Sequence, residues 1–352
     1  MEVGMKGLRF HLIALTVLAA ILSLAPQIVP GAGEALAQAQ GQVPGDALGN
    51  SSDSELWRAV RAGEGNLIQA EGSTWRALRN GPLSTYGVWA IAGMLFLLAA
   101  FFLFRGRIKI EHGAAGTTIE RFNLIERCGH WLTAGSFIIL AITGLNVLYG
   151  RYILIPVIGK DAFAVITLAG KWLHNWVAFA FMAGLVIIFV MWVVHNIPSR
   201  HDLKWIAQAG GLFSKGVHPP AKKFNAGQKL VFWITILGGL SLSLSGWALL
   251  DPFTTSMFAD TFALLNVFGL GLPTDLTPMQ EQQMAQLWHS VVSMFMIAVI
   301  LAHIYIGSLG MEGAFDAMGT GQVDLNWAKE HHSLWVEEVQ SQSTSGKHAP
   351  AE

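Results

Sequence analysis

Four histidines lie in or at the ends of long apolar runs. His130 is in "RCGHWL", His174 in "KWLHNW", and His289 and His303 in "LWHSVVSMFMIAVILAHIYIG". Ionisable groups at membrane depth are costly and rare, so each begins as a functional group rather than filler. The last run is the most informative, because its two imidazoles are 14 positions apart. On an α-helix that spacing puts them about 21 Å apart along the axis and only about 40° apart around it. By depth, His174 matches His289 and His130 matches His303, each pair drawn from two different helices. Two stacked bis-imidazole levels in one bundle are the geometry for two b-type haems. Zinc prefers four nitrogen or sulfur ligands at one point, which two-histidine levels do not supply. For any one of these residues alone, helix–helix hydrogen bonding or proton relay remain the alternatives.

The elements that position these residues follow from composition. The chain has 352 residues, of which 53% are hydrophobic and only 13% charged. Soluble chains carry about 25% charged residues, and a deficit of this size with repeated apolar runs of about 20 residues describes an all-α integral membrane protein. The net charge of -1 gives no reason to expect a nucleic-acid partner. One cysteine, Cys128, excludes an internal disulfide, a CxxCH haem attachment and a cysteine-ligated iron–sulfur cluster, and is expected to be a packing residue.

Lys6 and Arg9, the run "LIALTVLAAILSLA" and the small residues of "GAGEALAQAQ" predict a signal peptide over 1–39, cleaved after Ala37 or Ala39, with an uncleaved anchor as the alternative. Residues 40–83 are expected to form an extracytoplasmic segment of short amphipathic helices, and 84–104 an additional transmembrane helix. Residues 105–129 form a cytoplasmic loop, 130–310 a four-helix transmembrane haem-binding bundle, and 311–352 a cytoplasmic tail with a short helix and a disordered end. The apolar spans fall at 84–104, 130–149, 173–195, 230–250 and 286–308. Two connections are rich in Lys and Arg, whereas the segment from Asp251 to Leu287 carries Asp251, Asp260, Asp275 and Glu281 and no Lys or Arg. The positive-inside rule makes the basic connections cytoplasmic, and an exported N-terminus gives the same topology.

Other polar residues have two readings each. Asn225 and Gly227 of "KFNAGQK" offer a hydrogen-bond partner and close backbone approach to a quinone head group at the inner level, or simply a helix N-cap. Arg127, one turn before His130, suits a haem propionate or a positive-inside role. His195 is expected to be a solvated or capping residue, and His331 and His332 surface residues or subunit contacts.

Together "RCGHW", "KWLH", "HNIP", "KFNAGQK", the His289-x13-His303 helix and "WAKEHH" resemble the cytochrome b (gamma) subunit of membrane-bound respiratory formate dehydrogenases, over about 120–335. The signal peptide, the outer segment and the extra span depart from the family's four-span core and resemble a longer form of the subunit. The resemblance implies two haem b groups, the outer on His174 and His289 and the inner on His130 and His303. It implies quinone, either ubiquinone or menaquinone, beside Asn225, Gly227 and His303. Formate chemistry would reside in a molybdenum or tungsten pterin alpha subunit linked by an iron–sulfur beta subunit. This chain would then be a non-catalytic electron-transfer subunit of the bacterial inner membrane, its mature N-terminus periplasmic and its C-terminus cytoplasmic. The alternative is the cytochrome b subunit of an uptake hydrogenase or another quinone-linked oxidoreductase.

Overall fold

The computed structural model describes residues 72–346, so the expected signal peptide, residues 40–71 and the extreme C-terminus lie outside the described residues. Within them, five helices are long and apolar enough to cross a membrane. α1 (Gly72–Leu78) runs through a π-helical turn at Arg79–Leu83 into α2 (Ser84–Arg105). α3 (Leu124–Ile153) and α4 (Ile155–Trp192) follow, then the short α5 (Arg200–Ala207) and the long α6 (Ala226–Leu250). α7 (Met257–Asn266) precedes the last long helix, α8 (Pro278–Tyr305), which ends in a π-helical turn at Ile306–Gly310.

The long helices begin earlier than their apolar runs because polar caps fix the starts. Asn123, Asn225 and Thr277 each accept the backbone N–H three residues on, and the side chains of Glu126, Gln228 and Gln280 return the bond. Such reciprocal caps satisfy two otherwise orphaned N–H groups at each helix start. α4 shows the largest departure from the hydropathy reading. Residues 150–172, expected as a connection, are helical except at Leu154 and Gly159. Pro156 suits a helix's first turn, and Gly159 takes φ 78°, a bend that lets α4 change direction without a Cβ clash. Beyond that bend, residues 160–192 run for about 50 Å, against a hydrocarbon core of about 30 Å, so one end projects beyond it.

α3 packs along α4, α4 along α6 and α6 along α8, while α2 lies outside this bundle against α8. α2 keeps an apolar exterior: Phe96, Leu103 and Phe104 are 72%, 82% and 92% exposed, as suits a helix facing lipid tails. The α3–α4 contact is close because Gly184 has no side chain. A Cβ there would lie 2.5 Å from Thr133 Oγ1 and 3.0 Å from the Thr133 backbone nitrogen. Gly184→Ala must therefore push two helices apart, and overpacking of this kind costs about 1–3 kcal/mol. A lower midpoint in thermal unfolding of the detergent-purified chain is the expected readout.

The connection after α2 and the C-terminal tail form one polar-capped layer at the end of the bundle that carries the starts of α3 and α6. β1 (Thr118–Glu120) pairs antiparallel with β2 (Gln322–Asp324), in the register Thr118↔Asp324, Ile119↔Val323 and Glu120↔Gln322. α9 (Asp316–Gly319) leads into β2, and α10 (Leu325–His331) and α11 (Ser333–Gly346) follow it. The tail is thus not merely a short helix followed by loose chain. Its Val323, Trp327, Trp335 and Val336 join Phe122, Trp192 and Phe224 in the apolar core.

At the centre of this layer is Arg121, 3% exposed. Its Nη2 donates to the Lys223 carbonyl at 2.6 Å and to His332 Nε2 at 2.9 Å. The rings of Phe122, Trp327 and Trp335 lie 5.2, 5.5 and 5.1 Å from its guanidinium carbon. His332, expected as a surface residue or a subunit contact, is 1% exposed, because its two ring nitrogens bridge Arg121 and the Lys222 carbonyl. Nearby, the Glu330 carboxylate accepts the backbone N–H of Glu111 and His112 and contacts His112 Nδ1 at 2.8 Å. Burial pushes that carboxyl up, but the His112 contacts and the Glu111 N–H outweigh it and hold it below the usual range.

Candidate haem sites

α8 carries two of the four histidines and faces the other helices with both. The rings of His174 on α4 and His289 on α8 have centroids 6.3 Å apart. Those of His130 on α3 and His303 on α8 are 6.2 Å apart. Two imidazoles bonded through Nε2 to opposite sides of one metal, at about 2 Å per bond, have centroids about 6 Å apart. Both pairs stand at that separation, so the side chains present fit bis-imidazole haem at two levels of the bundle.

The His174/His289 level has a matched support on each side. Thr143 on α3 places its hydroxyl 2.8 Å from His174 Nδ1, and Ser245 on α6 places its own 2.9 Å from His289 Nδ1. Each of these residues precedes a glycine. A Cβ on Gly144 would lie 3.4 Å from His174 Cε1, and one on Gly246 would lie 3.4 Å from His289 Cε1. With Nδ1 occupied, Nε2 is the nitrogen left for a metal.

The His130/His303 level is walled by aromatics. Trp131 is 5.3 Å from the His130 ring and Trp192 is 6.5 Å from it. Trp131 Nε1 donates to the Met318 carbonyl and Trp192 Nε1 to Glu126 Oε1, both at 2.9 Å. Glu126, one turn before His130, also takes a 2.6 Å ion pair from Lys223. His130 Nδ1 is buried and has no hydrogen-bond partner among the described residues. Arg127, the other residue one turn away, donates from Nη1 to the Gly319 carbonyl at 2.9 Å, tying α3 to the tail.

The "NAGQK" residues have visible local roles. Asn225 Oδ1 accepts the Gln228 N–H at 2.9 Å as the cap of α6. Gly227 faces Trp205 of α5, whose ring a Cβ would meet at 2.8 Å. Lys229 is 5% exposed and donates to Asp202 at 2.8 Å and to the Ile197 carbonyl at 3.0 Å, which holds α5 against α6. Burial raises the Asp202 carboxyl, and the Lys229 pair and Ser199 N–H more than reverse this, leaving it below the usual range. Thus the structure gathers the four histidines into two pairs, while Asn225 and Gly227 meet Gln228 and Trp205.

His195 of "HNIP" is exposed, as expected of an interfacial residue, whereas its neighbour Asn196 is fully buried. The Asn196 carbonyl accepts Trp233 Nε1 at 2.9 Å and its amide donates to the Trp192 carbonyl at 2.9 Å, joining α4 to α6. Cys128, read as a packing residue, is exposed on the flank of α3 instead. Sequence reasoning passed over Thr143 and Ser245, although "TG" and "SG" recur in "AITGLN" and "LSGWAL" near the same depth. It also passed over Glu126 with Lys223.

Comparison with known proteins places this geometry in context. Residues 121–321 match a family model described as prokaryotic cytochrome b561. The chain is 30% identical over 223 residues to the formate dehydrogenase cytochrome b556(fdo) subunit of Escherichia coli strain K12, which covers 63% of this chain and 93% of that protein. It is 28% identical over 225 residues to the nitrate-inducible formate dehydrogenase cytochrome b556(Fdn) subunit of the same strain, covering 63% and 92%. The formate dehydrogenase cytochrome b556 subunit of Haemophilus influenzae is 23% identical over 225 residues, covering 63% and 84%.

Proposed function

Because the chain belongs to the prokaryotic cytochrome b561 family, together with the cytochrome b subunits of formate dehydrogenases, we propose that it carries electrons from formate oxidation outside the membrane inward to quinone. The observation that carries this reading is the pair of facing imidazole sets, 6.3 and 6.2 Å between centroids, in a bundle of this family. His174 and His289 would hold one haem b, and His130 and His303 the other. Each group, when bound, supplies a one-electron site.

The protein's own residues do the rest. Thr143 and Ser245 orient the first pair. Trp131 and Trp192 line the second, and the Glu126–Lys223 ion pair stands beside it. Arg105, Arg107, Lys109, Lys204, Lys215 and Lys222 cluster in the connections at the strand-bearing end, whereas Asp251, Asp260, Asp275 and Glu281 lie at the other. This asymmetry supports a cytoplasmic strand-bearing end and a periplasmic His174/His289 level. Quinone would bind at the cytoplasmic end near Asn225, Gly227 and His303, drawing protons from that side. The Asn225 oxygen serves the helix cap, so its amide nitrogen is the group left to donate to a quinone carbonyl. Iron–sulfur and molybdenum or tungsten pterin subunits would supply the electrons, consistent with a chain of one cysteine. A signal peptide over 1–39 would export the N-terminus.

Affinity purification of the tagged chain from its native membrane tests the assignment. A pterin-containing subunit and an iron–sulfur subunit should copurify, and the preparation should reduce quinone with formate. Recovery of a hydrogenase large subunit in their place would overturn it. In the same preparation, Asn225→Ala should slow quinone reduction while leaving formate-driven reduction of the b-type absorbance intact.

A further inference from the structure

The two histidine levels differ in what stands behind the rings, a difference that deepens the haem reading above and rests on it. Thr143 is 8% exposed and Ser245 is fully buried. Thr143 Oγ1 donates to the Ile139 carbonyl at 2.8 Å, and Ser245 Oγ donates to the Ser241 carbonyl at 2.8 Å. Hydroxyls in membrane helices often bond back to their own helix in this way, and that alone satisfies the proton. Here, however, each oxygen also lies within hydrogen-bond distance of a histidine Nδ1 on the neighbouring helix, at 2.8 and 2.9 Å. A hydroxyl has one proton and two lone pairs. With its proton engaged along its own helix, each oxygen accepts the Nδ1–H of the ring it faces.

Both rings are therefore held in the Nδ1–H tautomer, with the Nε2 lone pair free. The glycine that follows each hydroxyl lies against the ring, where a Cβ would be in ordinary van der Waals contact with Cε1 at 3.4 Å. The arrangement repeats: Thr143-Gly144 on α3 supports His174 on α4, and Ser245-Gly246 on α6 supports His289 on α8. The other level is different, since His130 Nδ1 is buried without a partner among the described residues. An acceptor on the far nitrogen of a ligating imidazole makes it a more basic ligand and favours the higher oxidation state of the metal.

We propose that Thr143 and Ser245 are positioning residues that fix both imidazoles of the His174/His289 level in the ligating tautomer and hold that level at a lower reduction potential than the His130/His303 level. The step they bias is a one-electron transfer between levels, and the Nδ1 protons stay in place. A lower potential at the first level makes passage to the second downhill.

The test is a potentiometric titration of the reduced-minus-oxidised spectrum of the intact complex, with Thr143→Val, Ser245→Ala and Thr143→Ser. The component that belongs to the His174/His289 level is identified by its loss in His289→Ala. Each hydroxyl deletion should raise the potential of that component alone by about 59 mV, a tenfold change for a one-electron couple. Thr143→Ser, which keeps the hydroxyl, should stay at the wild-type value. Retained haem with both potentials unmoved, or both components shifting equally, would overturn the proposal while leaving the haem sites standing. Should Thr143→Val fail to assemble, Ser245→Ala, which removes a single oxygen, decides the matter. Absence of b-type absorbance in the wild type would overturn the haem reading itself.

Discussion

His303→Ala is expected to leave formate able to reduce half of the b-type absorbance and to slow quinone reduction by at least about 100-fold, since even loss of an outer partner to a metal ligand costs 10–100-fold. The reason is positional. His303 and His130 form the level at the strand-bearing end, with ring centroids 6.2 Å apart, and among the described residues no other histidine ring lies as close to His130. Without His303, the His174/His289 level keeps both its rings and both its hydroxyl supports. Electrons would enter and stop. His289→Ala should give the reverse: the remaining component stays reducible by dithionite but is no longer reduced by formate. Stopped-flow spectra with formate as donor, followed by quinone, separate the two. Equal behaviour of the two variants would contradict the inward order of the levels. Persistence of the other component in each variant shows that the bundle has folded.

Arg121→Ala is expected to detach the C-terminal layer from the bundle. It removes a buried donor from two acceptors, the Lys223 carbonyl and His332 Nε2, and a cation from the centre of three aromatic rings. Each buried acceptor left unsatisfied costs about 1–3 kcal/mol, and each lost cation–π contact about 0.5–1 kcal/mol or more. A loss of about 3 kcal/mol or more in the stability of this layer follows from these two contributions. Limited proteolysis of the purified complex should cut between Asp316 and Ser333 in the variant at protease levels the wild type survives. Arg121→Lys keeps the charge and loses the fork, and should fall between the two.

The same contact gives this layer an acid limit. Lys222 presents only a carbonyl to His332 Nδ1, so Nδ1 donates and Nε2 accepts from Arg121. A second proton on the ring would face the guanidinium. Burial first, and Arg121 second, therefore hold His332 well below the usual histidine value of 6.5, and burial takes His331 down to about 4. In the unfolded layer both take up protons near 6.5, so the folded form binds fewer protons as acidity rises. The stability they contribute is fully present above pH 6.5 and is lost as pH falls from there toward 4. The proteolysis pattern of the wild type should shift toward that of Arg121→Ala over this window.

Much of this was legible in the sequence, for identifiable reasons. His289 and His303 share a helix face because 14 positions are close to a whole number of turns, and the match in depth then picks out His174 and His130. Apolar runs located all five long helices, but not their ends, because Asn123, Asn225 and Thr277 stop the first turn several residues outside the apolar stretch. Asn225 admitted two readings, and its oxygen is seen serving the cap. Thr143 and Ser245 gave little warning: a lone hydroxyl in an apolar helix has an ordinary bond to its own backbone. Only the neighbouring ring shows that it has a second. His332 escaped for a different reason. Its two partners, Arg121 and Lys222, are more than 100 positions away, and local polarity alone suggested solvent.

The central claim is that each facing imidazole pair holds its own haem b. Pyridine-haemochrome quantitation of the purified wild-type chain, against protein determined by amino-acid analysis, tests it most directly. The pairs His174/His289 and His130/His303 predict two haem b per chain. A value of one, or no b-type absorbance, would contradict the account.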